Sequence, residues 1–249
     1  MMLYFIGLGL NDEKDISVKG LEAVKKCDVL YLEHYTSILS CQKEALEAFY
    51  NKKIILAPRS TVEQEAEKTI LKDAQSNNVG FLVVGDPFCA TTHLDLYMRA
   101  KQLGIKCEVI HNASVISAVG MTGLQVYKFG KTTSIPFHHE NVETPYDVMK
   151  DNQKLGLHTL FLLDIDPAEN KHMTVQEAIH YLLNVAKKKG DTTFTESTLC
   201  VGCAQLGSDK QVIKAGPASQ LLKTSFSNPP QCFIVPGKLH FMEEEALGL

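Results

Sequence analysis

Three segments that contain glycine or polar residues directly follow apolar runs that have the character of β-strands. They are “GLGL” at 7–10, “GDPFCATTH” at 85–93 and “HNASV” at 111–115. Strand interiors disfavour Gly, Pro and Asp, because Gly loosens the backbone, Pro has no N–H to donate and a buried carboxylate loses its hydration. Each strand is therefore predicted to end where such a segment begins. The loops that start there are candidates for ligand contact, as is “DID” at 164–166 after “LFLL”.

Asp86 and Ser114 could each have either a ligand-binding or a structural role. The Asp86 carboxylate can accept paired hydrogen bonds from an amine or from ribose hydroxyls, or it can cap a helix that begins near Thr91. The Ser114 hydroxyl can cap a helix, whose free N–H groups could also hold a ligand carboxylate. Residue type alone leaves both choices open.

The pair Gly7-x-Gly9 resembles the start of a dinucleotide-binding loop. That pattern requires a third Gly, and position 12 is Asp12. The pair is therefore equally compatible with a tight turn that lets the backbone approach a neighbour and with ligand contact.

Candidates for a catalytic base are His93, His111 and Asp164, although a histidine beside a turn is usually a hydrogen-bonded surface residue. Cys200 and Cys203 form a C-x-x-C pair. On a strand, residues three apart point to opposite faces, and no second pair completes a zinc site. We therefore expect the two thiols to pack in the core, with no metal.

The elements that position these loops alternate between strand and helix. Apolar runs near residues 2, 29, 54, 79 and 105 have strand character, and helical patterns begin near Asp15, Thr61, Thr92 and Ser114. Thr61 and Gln64 form a capping-box pattern that predicts a helix through Gln75. Uninterrupted apolar strands joined by helices predict a mostly parallel sheet covered on both faces.

The pattern changes after Lys131. Residues 132–147 are polar and contain Pro, which is typical of a linker or an edge excursion. A strand near 158–166, a helix at about 174–189 and three short strands follow. We expect two α/β domains, 1–131 and 132–249, the second with a mixed sheet, and a ligand-binding cleft between them.

Composition bounds the functional class. Of the 249 residues, 45% are hydrophobic and 22% are charged, with a formal charge of −4, which is typical of a globular protein. The sequence shows no cluster of positive charge that would indicate a nucleic-acid-binding surface. No apolar run approaches the roughly 20 residues of a membrane span. The seven cysteines are scattered and no secretory leader is apparent, so we expect reduced thiols in a cytoplasmic protein.

Several long motifs together are similar to those of diphthine synthases, a family of the tetrapyrrole methylase superfamily. They are “LYFIGLGLNDEKDIS”, “VVGDPFCATTH”, “VIHNASVISAVG”, “YKFGKTTSIPF”, “TLFLLDI” and “IVPGKLHFME”. The resemblance implies two α/β domains of the tetrapyrrole methylase type, a homodimer, and S-adenosylmethionine bound in the interdomain cleft. It also implies translation elongation factor 2 as protein substrate, without direct nucleic-acid contact.

The resemblance also implies which residues contact the cofactor. They are Leu10, Asp86, Cys89, Ser114, Val115, Leu163, Gln205, Pro230 and Gln231. Cys89 stands where relatives usually have Gly, so a left-handed backbone there would be strained. Gln205 stands where many relatives have Arg, which removes a charge but keeps a donor and an acceptor.

The implied reaction is repeated methylation of the 3-amino-3-carboxypropyl group on a histidine of the elongation factor, in diphthamide biosynthesis. In the family that the chain resembles, archaeal enzymes stop at the trimethylated amine and eukaryotic enzymes add a fourth methyl group as an ester. “GDPFCATTHLDL” and “TLCVGCAQLGSDKQ” are more similar to the eukaryotic branch, which favours four methylations. A superfamily enzyme acting on a corrin, a porphyrin or an rRNA nucleotide should lack the long motifs. A non-enzymatic binding module is disfavoured because Asp86 and “HNAS” are present.

Overall fold

A computed structural model describes residues 1–166, 169–226 and 228–249. The chain divides into two compact units, Met1–Ser117 and Ala118–Leu249. The domain boundary between residues 131 and 132 stays a prediction from the sequence.

The first unit is built on a parallel sheet. Its strands are β1 (Met2–Gly7), β2 (Val29–Glu33), β3 (Ile55–Ala57), β4 (Val79–Val83) and β5 (Lys106–Ile110). Its helices are α1 (Val18–Lys26), α2 (Lys43–Tyr50), α3 (Arg59–Glu63), α4 (Ile70–Ala74) and α5 (Leu94–Gln102), and the single turn α6 (Val115–Ala118) follows β5. The strand order is β3-β2-β4-β1-β5, with every pairing parallel. The predicted parallel sheet is confirmed.

Hydrophobic cores cover both faces of this sheet. Leu3 and Phe5 of β1 belong to one core, whereas Tyr4 and Ile6 belong to the other. Successive side chains of a strand point to opposite faces, so an uninterrupted apolar strand must be buried on both sides. This burial explains why β1 and β4 show no polar alternation.

The predicted helix from Thr61 through Gln75 is wrong in its start and its continuity. Pro58 precedes α3 with no side-chain cap, and a 3-10 turn at Ala66–Lys68 separates α3 from α4. Val62, Ala66 and Ile70 are all buried in one core. Packing against the sheet, rather than the local capping pattern, decides where this segment is helical.

The second unit contains a mixed sheet. Its strands are β6 (Thr133–Ile135), β7 (Thr159–Leu163), β8 (Ile165–Asp166), β9 (Lys171–His172), β10 (Leu199–Ala204), β11 (Val212–Pro217) and β12 (Gln231–Val235). Its helices are α7 (Thr144–Lys154), α8 (Val175–Lys189), α9 (Ala218–Leu221) and α10 (Phe241–Leu247). Five strands form a sheet in the order β11-β10-β12-β7-β6, in which only β6 and β7 pair in parallel. The predicted mixed sheet is confirmed.

The polar segment at 132–147 contains more structure than its composition indicates. It supplies the edge strand β6 and the first turn of α7, where Pro145 stands. Proline suits the first turn of a helix, because the N–H that it lacks would have no partner inside the helix. The expected edge excursion is confirmed, whereas the sequence interpretation missed α7.

Helix α8 begins and ends as predicted. The Thr174 hydroxyl accepts a hydrogen bond from Glu177 N at 3.2 Å, and the Glu177 carboxylate accepts one from Thr174 N at 2.7 Å. These reciprocal bonds form a capping box, and Gly190 ends the helix in a left-handed conformation.

The closing motif “VPGKLHFME” fixes the C-terminal helix to the sheet through a buried carboxylate. Glu243 is fully buried and accepts hydrogen bonds from His158 Nε2 at 2.9 Å and His240 N at 2.7 Å, and it pairs with Lys128. Gly237 N donates to His158 Nδ1 at 3.0 Å, so the His158 proton lies on Nε2, facing Glu243. Burial raises the pKa of Glu243, but the Lys128 ammonium and the hydrogen bonds outweigh it and hold the pKa at about 2.

Two classes of site receive no support within the described residues. No helix among them is long and apolar enough to cross a membrane. No group of three or more His, Cys, Asp or Glu side chains in residues 1–166, 169–226 and 228–249 could hold a metal ion. Cys200 and Cys203 lie on β10, where strand alternation directs them to opposite faces, and both are buried.

Candidate functional site

In the first unit the loops after β1, β4 and β5 meet at the carboxyl edge of the sheet. Strand β1 pairs with β4 on one side and β5 on the other. Beyond the strands, Gly9 and Gly85 form a further bridge, with Gly85 N donating to Gly9 O at 2.7 Å. The three predicted strand ends are thus brought together. Ligands of open parallel sheets bind at this edge.

Close packing between the loops explains the Gly-x-Gly pair. A Cβ atom at Gly7 would lie 2.7 Å from Gly85 O and 2.8 Å from Asn112 Cβ. Gly9 has φ +80°, and a Cβ there would lie 2.6 Å from Asp15 Cβ. Both glycines are required for the approach of one backbone segment to another, which is the tight-turn alternative.

Asp15 and Asn112 organise the same edge and were not identified from the sequence. Asp15 Oδ2 accepts hydrogen bonds from Leu10 N at 3.1 Å and Asn11 N at 2.8 Å. The Asn112 side-chain amide donates to Gly7 O and to Asp15 O, both at 3.0 Å. Because the Leu10 N–H is already bonded, a ligand contact there would use the carbonyl or the side chain. The available signal was the presence of Asp and Asn in loops that follow strands.

Asp86 joins the loop after β4 to the loop after β5. Its Oδ1 accepts from Phe88 N at 2.9 Å, and its Oδ2 accepts from Asn112 N at 3.1 Å and lies 2.8 Å from His111 Nδ1. The capping alternative is wrong, because α5 begins at Leu94 and Asp86 lies outside its first turn. Burial raises the pKa of the Asp86 carboxyl, but these hydrogen bonds outweigh it, so the pKa lies below its usual value.

His93 is a core residue rather than the surface residue that its turn position indicates. It is 1% exposed, and its Nδ1 lies 3.1 Å from Pro87 O. A carbonyl only accepts, so Nδ1 carries the proton. The ring also packs edge-on against Phe81, with 5.1 Å between ring centroids. Burial lowers the pKa of His93 to about 4, so its ring is neutral at pH 7.

Ser114 caps a short helix, and Cys89 has an ordinary backbone. Ser114 Oγ accepts from Ile116 N at 3.2 Å, and α6, which begins at Val115, is one turn long. The left-handed residue in the loop after β4 is Ala90, with φ +60°, whereas Cys89 is not in that region. The strain considered for Cys89 therefore falls on the next residue.

In the second unit four implied cofactor contacts lie at one end of the mixed sheet. Gln205 follows β10, and its N–H donates to Pro230 O at 2.8 Å. Gln231 pairs with Ala204, and Leu163 lies one residue beyond the pair formed by Leu162 and Cys232. The end of β7, the end of β10 and the start of β12 bring these residues together.

Gln205 has two features that are typical of a binding residue. Its φ of +50° is unusual for a residue other than Gly. Its Oε1 is buried without a hydrogen-bond partner among the residues that the structure describes. Backbone strain and an unsatisfied buried acceptor both cost free energy, and both are found preferentially at functional sites.

Gln231 and Asp164 have structural partners for their side chains. Gln231 Oε1 accepts from Val175 N at 2.9 Å, which caps the start of α8. Asp164 Oδ1 accepts from Ile165 N and Oδ2 from Phe137 N, each at 3.0 Å. A cofactor contact at Gln231 would therefore use its backbone, and Asp164 is fixed as a bridge between loop segments.

The acceptors in both units suit a ligand rich in hydrogen-bond donors. S-adenosylmethionine carries an ammonium, an adenine amino group and ribose hydroxyls, all of which donate. A carboxylate has about four lone-pair sites, of which Asp86 uses three. The Gln205 amide oxygen is unpartnered within the described chain. Each unit thus offers an acceptor that fits this cofactor.

The family model, the similar proteins and the similar solved structure all indicate the same family. Residues 2–222 match the family Tetrapyrrole (Corrin/Porphyrin) Methylases. A diphthine methyl ester synthase of Homo sapiens is 47% identical over 270 residues, covering 100% of this chain and 94% of that protein. A diphthine synthase of Methanosarcina acetivorans is 48% identical over 255 residues, covering 99% of this chain and 94% of that protein. A crystal structure of diphthine synthase superposes with a TM-score of 0.92 at 38% identity, covering 100% of this chain and 95% of that chain. The chain therefore belongs to the diphthine synthase family of tetrapyrrole methylases and is a methyltransferase.

Proposed function

We propose that the chain transfers methyl groups from S-adenosylmethionine to the 3-amino-3-carboxypropyl group on a histidine of translation elongation factor 2, in diphthamide biosynthesis. The observation that carries the proposal is the 47% identity to the human diphthine methyl ester synthase across the whole chain. A match of this length includes both units and every motif named above.

The cofactor supplies a methyl group on a sulfonium, which is already a good leaving group. The protein therefore has to align the acceptor, exclude water and bind the cofactor. We propose that Leu10, Asp86, Cys89, Ser114 and Val115 bind it from the first unit. From the second unit we propose Leu163, Gln205, Pro230 and Gln231. Asp86 and the Gln205 amide oxygen supply the acceptors, and the others contribute backbone and packing contacts.

We propose four methylations. Three make the amine quaternary, and a fourth falls on the neighbouring carboxylate, which is ionised at neutral pH and needs no base. The ester should therefore form after the amine is exhausted. Three methylations alone is the second candidate, because 48% identity to an archaeal diphthine synthase is as high as the identity to the human ester synthase. Overall identity does not separate the two products.

The test uses purified protein and three acceptors, with S-adenosylmethionine labelled on the methyl group. The acceptors are elongation factor 2 with the 3-amino-3-carboxypropyl group, the same factor without it, and a porphyrin precursor. We expect label in the modified factor alone. Transfer to the porphyrin would support another tetrapyrrole methylase activity. Failure to bind S-adenosylhomocysteine in a calorimetric titration would overturn the proposed cofactor.

We also propose that the chain acts in the cytoplasm as a homodimer, without contact to nucleic acid or membrane. Sedimentation of the purified chain over a range of concentrations checks the dimer. A species of monomer mass at every concentration would contradict it.

A further inference from the structure

We infer that His111 is the catalytic base of the methyl transfer, held by Asp86 so that its Nε2 accepts the proton of the substrate ammonium. The inference rests on the proposed function, in which the acceptor is an amine. An ammonium has no lone pair and cannot attack a methyl group. A group that removes its proton at neutral pH therefore accelerates transfer.

The geometry fixes which nitrogen of His111 is basic. His111 Nδ1 lies 2.8 Å from Asp86 Oδ2. The pKa of Asp86 lies below its usual value, so at neutral pH its carboxylate only accepts and the proton of the neutral ring lies on Nδ1. Nε2 then carries the lone pair. The His111 side chain is 69% exposed, whereas that of Asp86 is 5% exposed.

Asp86 is itself rigidly placed. Its two oxygens accept from the amides of Phe88 and Asn112, which belong to two different loops. A buried carboxylate that orients an imidazole through Nδ1–H, and leaves Nε2 to act on a substrate proton, is the arrangement that activates a histidine as a base. The second lone pair of Oδ1 stays available for a cofactor donor, so the two roles of Asp86 are compatible.

The other candidates for the base are excluded by their surroundings. His93 is buried, and its pKa of about 4 makes it a poor proton acceptor at pH 7. Both carboxylate oxygens of Asp164 are held by backbone amides. Of the other ionisable groups on these loops, the Cys89 thiol interacts with Asp86 and has a raised pKa, mainly through burial, and the Asp15 carboxylate accepts hydrogen bonds from two backbone amides. Asp86 is the ionisable group in contact with His111 in the described chain.

The proton and electron movements balance. The Nε2 lone pair takes a proton from the substrate ammonium, which leaves a free amine and an imidazolium paired with the Asp86 carboxylate. The amine lone pair then forms the N–C bond, while the electrons of the S–C bond return to sulfur. The imidazolium releases its proton to solvent. The primary, secondary and tertiary amines each need this step once, whereas methylation of the carboxylate does not.

The test compares the full-length chain with His111→Ala and His111→Gln, and with His180→Ala as a matched control on the exposed face of α8. The glutamine side chain of the His111→Gln variant would still offer a donor to Asp86 but has no basic atom. The initial rate of the first methylation is measured from pH 6 to 10 on the modified elongation factor. Affinity for S-adenosylhomocysteine is measured by calorimetry.

We expect both His111 variants to be about 100-fold slower than wild type at pH 7, the lower end of general-base contributions. Their rates should rise about tenfold per pH unit, until the amine deprotonates in solution and the deficit closes. Added imidazole should partly rescue His111→Ala. Cofactor affinity should stay within about twofold, and His180→Ala should match wild type.

A deficit of equal size at every pH, or none at pH 7, overturns the role of His111 while the proposed function stands. A large loss of cofactor affinity that accounts for the slower rate also overturns it. Absence of transfer by the wild-type chain would overturn the proposed function and, with it, this role.

Discussion

Asp86→Ala should destabilise the first unit as well as weaken ligand binding. The substitution removes the acceptor of the Phe88 and Asn112 amides and of the His111 ring. Hydrogen bonds to a charged group contribute about 1.5–3 kcal/mol each when the partners stay buried, and less when water replaces the acceptor. His111 is exposed and can turn to solvent, so the two amides dominate. We expect a loss of about 2–4 kcal/mol in the free energy of unfolding.

The assay is urea denaturation at pH 7 of wild type, Asp86→Ala and Asp86→Asn. The Asn side chain keeps one acceptor oxygen but presents an amide donor in place of the other. Stability should therefore decrease from wild type to Asp86→Asn to Asp86→Ala. An Asp86→Ala midpoint within experimental error of wild type, at equal m-value, would refute the claim that this carboxylate joins the two loops.

The stability difference between wild type and Asp86→Ala should depend on pH in a definite direction. The pKa of Asp86 is lower in the folded chain than in the unfolded chain, where it is about 3.9. The ionised carboxylate thus contributes stability that is present above pH 4 and is lost as the pH falls through the folded pKa. The difference between wild type and Asp86→Ala should therefore shrink as the pH falls below 4. A difference that grew on acidification would contradict the hydrogen-bonded carboxylate.

Two further predictions concern the turn after β4 and the buried Glu243. Cys89→Gly should lower the free energy of unfolding by about 0.5–1 kcal/mol because the φ of Cys89 is ordinary, whereas Ala90→Gly should raise it by about 0.5 kcal/mol because the φ of Ala90 is +60°. If both variants shifted the denaturation midpoint in the same direction, this contrast would be contradicted. Glu243→Ala should lower the free energy of unfolding by about 3–5 kcal/mol, because Lys128 and His158 lose their buried partner. Glu244→Ala, at an exposed position of α10, should change it by no more than about 0.5 kcal/mol. Thermal denaturation of the two variants side by side checks the second prediction.

Local patterns predicted the five strands of the first sheet and the extent of α8. The helix expected at about 174–189 spans Val175–Lys189, and the structure shows the Thr174 capping box at its start and Gly190 at its end. These signals depend on neighbours in the sequence, so a single chain reveals them. The parallel order of the first sheet followed from apolar strands that alternate with helices.

Contacts between segments that are distant in the sequence could not be predicted from local sequence patterns. The Asp86–His111 pair joins residues 25 positions apart, and no local pattern pairs them. The Thr61 pattern failed because packing of Val62 and Ala66 dominates its segment. The resemblance named Asp86 and Gln205, but only the structure shows a carboxylate with bonded neighbours and an amide oxygen without a partner among the described residues.

The central claim is tested most directly by the mass of the product. Elongation factor 2 carrying the 3-amino-3-carboxypropyl group is incubated with the enzyme and excess S-adenosylmethionine, and the modified peptide is followed by intact mass over time. We predict methyl groups added in succession up to four, with the fourth appearing last and removed by mild base. A plateau at three, with no base-labile methyl group, would contradict the ester, and an unchanged peptide mass would contradict the methyl transfer itself.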